Sequence, residues 1–410
     1  MGVPLLIRSP KLWPSQGQHR RATWTELFFD LIFVAAVAEV GAPLATDYSP
    51  QGVVRFSFLF LLIWWAWSGH TLYTSRFEAE DSVHRLLILV QCFIAAVMAA
   101  NAKDALDSRS SAGFGAAYAG MRIVLVIQYL RARSVPAARQ LATRYAVGFG
   151  AAAIVWIVSA LTEPPERYWL WTAALVVDFA TPWLASKQMV YAPPDPTHFP
   201  ERFGLFTIIL IGEFVAAVMR GIEHQEYWSF PAASTAFMSM AFAFVLRGWY
   251  FDVAQGAAER HVRTPKDAQL FHVWHYCHLP MFLGIAVAGV GFQRAISLES
   301  GQRLTASEVW MLTSAVMLVT VALTTLGATS ETAQKRRNLA SYIWPQYVIS
   351  VLILMTAIYG NRMHPVIFVL LLLLACTVQT LLAERETARP RLRKRLASEK
   401  ELGNVRVSMW

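Results

Sequence analysis

The stretch Trp24-Thr-Glu-Leu-Phe-Phe-Asp-Leu-Ile-Phe-Val-Ala-Ala-Val-Ala-Glu-Val-Gly41 is apolar enough to cross a membrane, yet it carries three carboxylates, Glu26, Asp30 and Glu39. An ionised acid near the bilayer centre costs about 2.5 kcal/mol or more. Such residues are kept where they face a protein interior, a cavity or a proton path. Glu26 and Asp30 are four residues apart, so they share a helical face, with Asp30 about 6 Å deeper. Glu39 is nine residues past Asp30, about 180° around a straight helix, and cannot join it in one site. Glu26 reads equally as a boundary residue that caps or pairs and as part of a site. Asp30, deeper in the span, favours a site.

The rest of the 410-residue chain is of the same kind. Hydrophobic residues make up 56% and charged residues 15%, with a mean hydropathy of +0.40. A soluble domain carries about 25% charged residues, so the composition is that of a membrane protein. Twelve stretches qualify as spans: 24–42, 54–74, 83–101, 112–131, 141–161, 168–190, 203–220, 231–250, 271–292, 308–328, 341–360 and 364–383. The third is interrupted by Gln91 and the ninth opens with three histidines. The fold class expected is all-α, a polytopic transmembrane helix bundle.

With both ends cytoplasmic, 27 of the 36 Lys and Arg lie in the inner segments, 8 in the outer loops, and Arg122 within a span. This asymmetry obeys the positive-inside rule and supports an even number of spans. It also accounts for the net charge of +9 without nucleic acid as a partner. Cys92, Cys277 and Cys376 are odd in number and suggest no disulfide framework. The acids in the first apolar run also argue against a cleaved signal peptide.

Residues 1–23 read as a short arm. Tyr191-Ala-Pro-Pro-Asp-Pro-Thr-His-Phe-Pro-Glu-Arg202 reads as a proline-rich linker between two six-helix halves, 24–190 and 203–383. Residues 384–410 form a basic tail suited to anionic lipid. The halves share landmarks. Glu26 and Glu39 of span 1 correspond to Glu201 and Glu213 of span 7, and His84 and His272 each open the following span. Six spans per half gives both halves one orientation, a parallel duplication about an axis along the membrane normal.

Glu26-Leu-Phe-Phe-Asp-Leu-Ile-Phe-Val34 resembles the opening signature of the bacterial low-temperature-requirement A family of polytopic membrane proteins. Arg76-Phe-Glu-Ala-Glu-Asp81, His198-Phe-Pro-Glu-Arg-Phe-Gly-Leu-Phe-Thr-Ile-Ile-Leu-Ile-Gly-Glu213, Tyr250-Phe-Asp252 and His278-Leu-Pro-Met-Phe-Leu-Gly-Ile285 extend the resemblance in order, from about residue 24 to 290. The resemblance implies a protein of the bacterial plasma membrane and singles out Glu26, His198, Glu201 and His278. It names no reaction.

Depth selects a second set. Arg122, Asp178 and Glu213 each lie ten residues into their spans, about 15 Å deep and near the midplane. They can converge as a structural salt bridge or as a site for a proton, an ion or a polar substrate group. Acids outnumber the one deep cation, and Glu213, following Gly212, is the expected coupling acid. His272, His275 and His278 share a helical face near Cys277. Their spacing matches no standard metal signature, and a Pro280 kink with His278 bonded to freed backbone is preferred to a ligand set. Trp64, Trp65 and Trp67 read as packing residues, and Glu78, Glu80 and Asp81 as a capped, solvated turn.

No P-loop, dinucleotide fingerprint or nucleophile elbow is present, and no cofactor is expected. Three readings follow. The first is a proton-coupled secondary carrier of a small molecule, using Asp30, Arg122, Asp178 and Glu213. The second is an intramembrane enzyme acting on a lipid-like molecule, with a deep acid and His275 or His278 as base. The third is a structural or sensory protein without turnover.

Overall fold

The computed structural model describes residues 9–13, 20–78, 81–106, 110–225, 227, 229–299, 301–330 and 339–407, with side chains described as far as residue 386. Twelve long helices dominate these residues: α1 (Trp24–Gly41), α2 (Pro50–Thr74), α3 (Ser82–Ala102), α4 (Ser111–Ala132), α5 (Arg139–Leu161), α6 (Glu166–Leu184), α7 (His198–Glu223), α8 (Phe230–Gly248), α9 (Pro265–Ile296), α10 (Ala306–Ala328), α11 (Ala340–Met355) and α12 (Pro365–Val407). Ten are long and apolar enough to cross a membrane. The other two are the charged ones. α1 carries Glu26, Asp30 and Glu39, and α6 carries Glu166, Arg167 and Asp178.

The helix starts follow local chemistry. Thr23 and Glu26 form a capping box on α1, as do Thr264 and Asp267 on α9 and Thr305 and Glu308 on α10. Each box satisfies orphan amides that lipid could not hydrate. Ser49, Asp81 and Ser229 cap α2, α3 and α8. Apolar side chains such as Phe93, Ile154, Phe237 and Phe244 remain outward, as expected of helices facing lipid. The only strand pairing among the described residues joins β1 (Lys11–Leu12) to β2 (Phe77–Glu78), which ties the arm to the end of α2.

The linker departs from expectation. It ends at Thr197, because α7 starts at His198 rather than 203. Pro200 sits in the first helical turn, where its missing N–H would have had no partner, so it does not delay the helix. That shift places Arg202 inside a helix. Asp195 N–H bonds to Ser75 O at 2.8 Å, which holds the linker against the C-terminus of α2.

The first six and the last six long helices share part of their neighbour order. α1 packs on α2 and α3, α3 on α4, and α4 on α5. Likewise α7 packs on α8 and α9, α9 on α10, and α10 on α11. They differ at α8, which packs along α12, whereas α2 packs on α4. α1 packs on α7, and α9 lies against both α7 and α2.

Candidate functional site

The joint between α1 and α7 holds a buried charged network. Glu26 caps its own helix: Oε2 accepts from Thr23 N at 2.8 Å and Thr23 Oγ1 at 3.0 Å. Its Oε1 lies 3.1 Å from Arg20 Nη2 and 3.2 Å from Arg202 Nη1. One turn deeper, Asp30 is fully buried and receives a two-pronged bond from Arg202, Nε to Oδ2 at 3.0 Å and Nη2 to Oδ1 at 2.5 Å. Trp67 Nε1 adds a third donor to Asp30 Oδ1 at 2.6 Å. A planar guanidinium matches this geometry, and an ammonium cannot.

His198 completes the network. Its Nε2 is 3.1 Å from Glu26 Oε2 and its Nδ1 is 3.2 Å from Ser75 Oγ. Ser75 Oγ also lies 2.7 Å from Thr71 O, an acceptor only. If the serine proton goes to Thr71, His198 Nδ1 must donate to Ser75. The short contact between Nε2 and Oε2 then needs one further proton, on the imidazole or on the carboxyl. If the serine donates to Nδ1 instead, neutral His198 donates to Glu26 through Nε2. The two schemes differ by a single proton held between His198 and Glu26, and the heavy-atom positions accommodate both. Two carboxylates face Arg202 and Arg20, so the network is neutral before that proton is added.

Of the residues matched by depth, Arg122 and Asp178 meet. Arg122 Nε donates to Asp178 Oδ2 at 3.0 Å, with both side chains fully buried. Arg122 also bonds to the Tyr118 hydroxyl, and its guanidinium lies 4.7 Å from the Tyr118 ring centroid. Removing one partner of a buried pair strands the other charge, at about 3–5 kcal/mol. Arg122→Ala is therefore expected to lower unfolding free energy by that amount, with Arg122→Leu/Asp178→Leu recovering most of it. Detergent-titrated unfolding of purified protein checks both.

Glu213 does not join them. Its side chain is 24% exposed and pairs with Arg220 of the same helix at 2.8 Å. The buried stripe of α7 runs through Phe203, Leu210, Phe214 and Ala217, and Glu213 points away from it. Depth was matched but rotation was not. Nor does Gly212 admit a close neighbour, since a Cβ there would meet nothing within 4 Å. Exposed pairs contribute about 0–1 kcal/mol, so Glu213→Gln should change unfolding free energy by less than about 1 kcal/mol.

The histidines of α9 face three different partners. His278 has both nitrogens engaged, Nδ1 with Trp274 O at 2.8 Å and Nε2 with Tyr250 Oη at 3.0 Å. Trp274 O is the carbonyl one turn back from His278 itself, not the one freed by Pro280. His275 Nε2 lies 2.5 Å from Ser68 Oγ, and His272 Nε2 lies 3.1 Å from Ser186 Oγ. Among the described residues, no three His, Cys, Asp or Glu side chains are grouped to hold a metal ion. Glu39 is exposed, and Glu201 is partly buried near the Ala22 amide. Asp81 caps α3 and pairs with Arg131 at 2.5 Å, while Glu80 lies outside the described residues. Trp64 and Trp65 pack as expected, with Trp65 stacked on Phe179 at 4.1 Å.

Arg202, Trp67, Arg20 and Ser75 were missed by sequence reasoning. One signal was available: two acids on one face of an apolar helix require a cation. Arg202 lies at the end of the stretch that reads as linker.

A model of the bacterial low temperature requirement A protein family matches residues 21–391, which takes in residues 291–391, where no motif is legible. An uncharacterized protein of Rhizobium meliloti (strain 1021) is 30% identical over 290 residues, covering 66% of this chain and 68% of its own length. Both matches agree with the bundle of apolar helices: the chain belongs to the bacterial low temperature requirement A family and is a multi-pass membrane protein.

Proposed function

We propose that the protein is a proton-coupled secondary carrier of a small molecule, with its coupling site at the α1–α7 joint rather than at Glu213. The observation that carries this reading is the His198–Glu26 contact, a one-proton position buried beside Arg202 and Asp30. A carrier needs a titratable group at an element shared by both moving parts, and α1 and α7 are where the halves meet. Arg122–Asp178, internal to the first half, serves there as a register-fixing pair. For the enzyme reading, both His278 nitrogens are already used, which leaves His275 as its candidate base.

The proposal includes a parallel relation between the halves, a bacterial plasma membrane location and cytoplasmic termini. Its partners are protons, membrane lipid and an unidentified small molecule, with no role for nucleic acid. Tags at either end should resist labelling from outside sealed spheroplasts. External labelling of both ends would reverse the orientation, and labelling of the C-terminus alone would mean an odd span count.

The functional test is reconstitution in liposomes holding a trapped pH dye. Metabolites that raise the protein's melting temperature are added outside, and internal pH is followed. Saturable, protein-dependent proton movement with at least one of them is expected. Stabilising compounds that enter with no proton movement, or do not enter, would overturn the coupled-carrier reading.

A further inference from the structure

An open cavity of about 590 Å³ lies between the arm, the linker and the segment between α8 and α9. Its size falls within the range of small-molecule sites, about 300–1,000 Å³. Trp13, Tyr191, Pro193 and Pro194 give it flat apolar walls. Its polar groups are chiefly donors. The exposed Arg263 side chain makes no direct ion pair among the described residues, although Asp267 is close enough to feel its charge, and the Trp13 indole N–H, which has no acceptor, is buried in the cavity wall. His261 adds an imidazole, paired with Glu259 at 3.2 Å. Arg20 lies 4.9 Å from the Trp13 ring centroid and adds positive potential. The lining carboxylate, Asp195, has one oxygen occupied: its Oδ1 accepts from Thr197 N at 2.9 Å, Thr197 Oγ1 at 2.8 Å and His198 N at 2.7 Å.

We infer that this cavity binds a small organic carboxylate with an aromatic or compact apolar body, its charge held by Arg263 and its body packed on the Trp13 ring. We assign it as the first station of the carrier's cargo; that role rests on the carrier reading, whereas the binding does not. Asp195 links the two sites. It lines the cavity, holds the first turn of α7, and bonds through its backbone to Ser75, whose hydroxyl touches His198. A ligand that shifts Asp195 thus acts one residue contact away from the one-proton position.

The test uses the full chain in lipid nanodiscs and fluorine NMR of 4-fluorobenzoate, with 4-fluorobenzylamine as its cationic counterpart and empty nanodiscs as blank. Saturable binding of the benzoate is expected, with the amine at least about tenfold weaker, since the charge-assisted bond to Arg263 is lost and a like charge replaces it. Arg263→Ala and Trp13→Ala should each weaken benzoate binding by about tenfold or more. Arg263 is exposed, so its substitution spares the fold. Equal binding of amine and benzoate, absence of saturable benzoate binding, or unchanged binding in both variants would overturn the site. Benzoate binding that responds to both variants, in a protein that moves no protons, would retain the site and remove only its role in transport.

Discussion

Arg202→Ala is expected to be the most damaging single substitution in this chain. It leaves Glu26 and Asp30 buried one turn apart, facing each other with Arg20, His198 and the Trp67 indole as remaining partners. Breaking one buried pair costs about 3–5 kcal/mol, and here two acids lose their shared cation. Total stability of a domain is about 5–15 kcal/mol, so little folded protein should be recovered. Arg202→Lys keeps the charge but loses the fork, and should fall between, at about 1–3 kcal/mol. Arg202→Leu/Asp30→Leu should be more stable than Arg202→Ala, because Asp30 no longer remains charged without a partner. Unfolding by detergent titration orders the variants. An Arg202→Ala protein within about 1 kcal/mol of the unsubstituted chain would mean the network does not carry the joint.

How much of this was legible differs between fold and site. Apolar length located the twelve long helices, ten of which are long and apolar enough to cross a membrane, because lipid requires each crossing helix to satisfy its own backbone. Helix ends were less legible: Pro200 was read as a breaker, yet it occupies a first turn where proline is harmless. That single error removed Arg202 from the buried residues and left Asp30 without its partner. Arg122 and Asp178 were matched correctly by depth, and Glu213 incorrectly by the same argument. Depth follows from position in the sequence, whereas the direction a side chain faces depends on which neighbours its helix meets. The α1–α7 contact joins residues 172 apart in sequence, and spacing within a helix does not encode it.

The proton-coupling proposal has a clean chemical test in Glu26→Gln. Glutamine retains the capping box, since an amide oxygen at that position can accept from Thr23, so α1 should still start correctly. Arg202 keeps its fork on Asp30, which limits the structural cost. What disappears is the carboxylate that shares a proton with His198. His198→Gln removes the other member and leaves Glu26 to Arg20 and Arg202. Both variants should therefore fold, bind cargo and exchange it between compartments of equal concentration. Neither should accumulate cargo against its gradient when only a pH difference drives uptake. A weakly buffered solution of purified protein should change pH when cargo is added to the unsubstituted chain, and should not when it is added to Glu26→Gln. Glu213→Gln is the matched control and should keep gradient-driven uptake, since its exposed pair with Arg220 lies off the buried stripe of α7. Full gradient-driven uptake by Glu26→Gln would exclude this acid from coupling. Loss in Glu213→Gln with retention in Glu26→Gln would return the coupling role to the outward acid and break the link between the α1–α7 joint and transport.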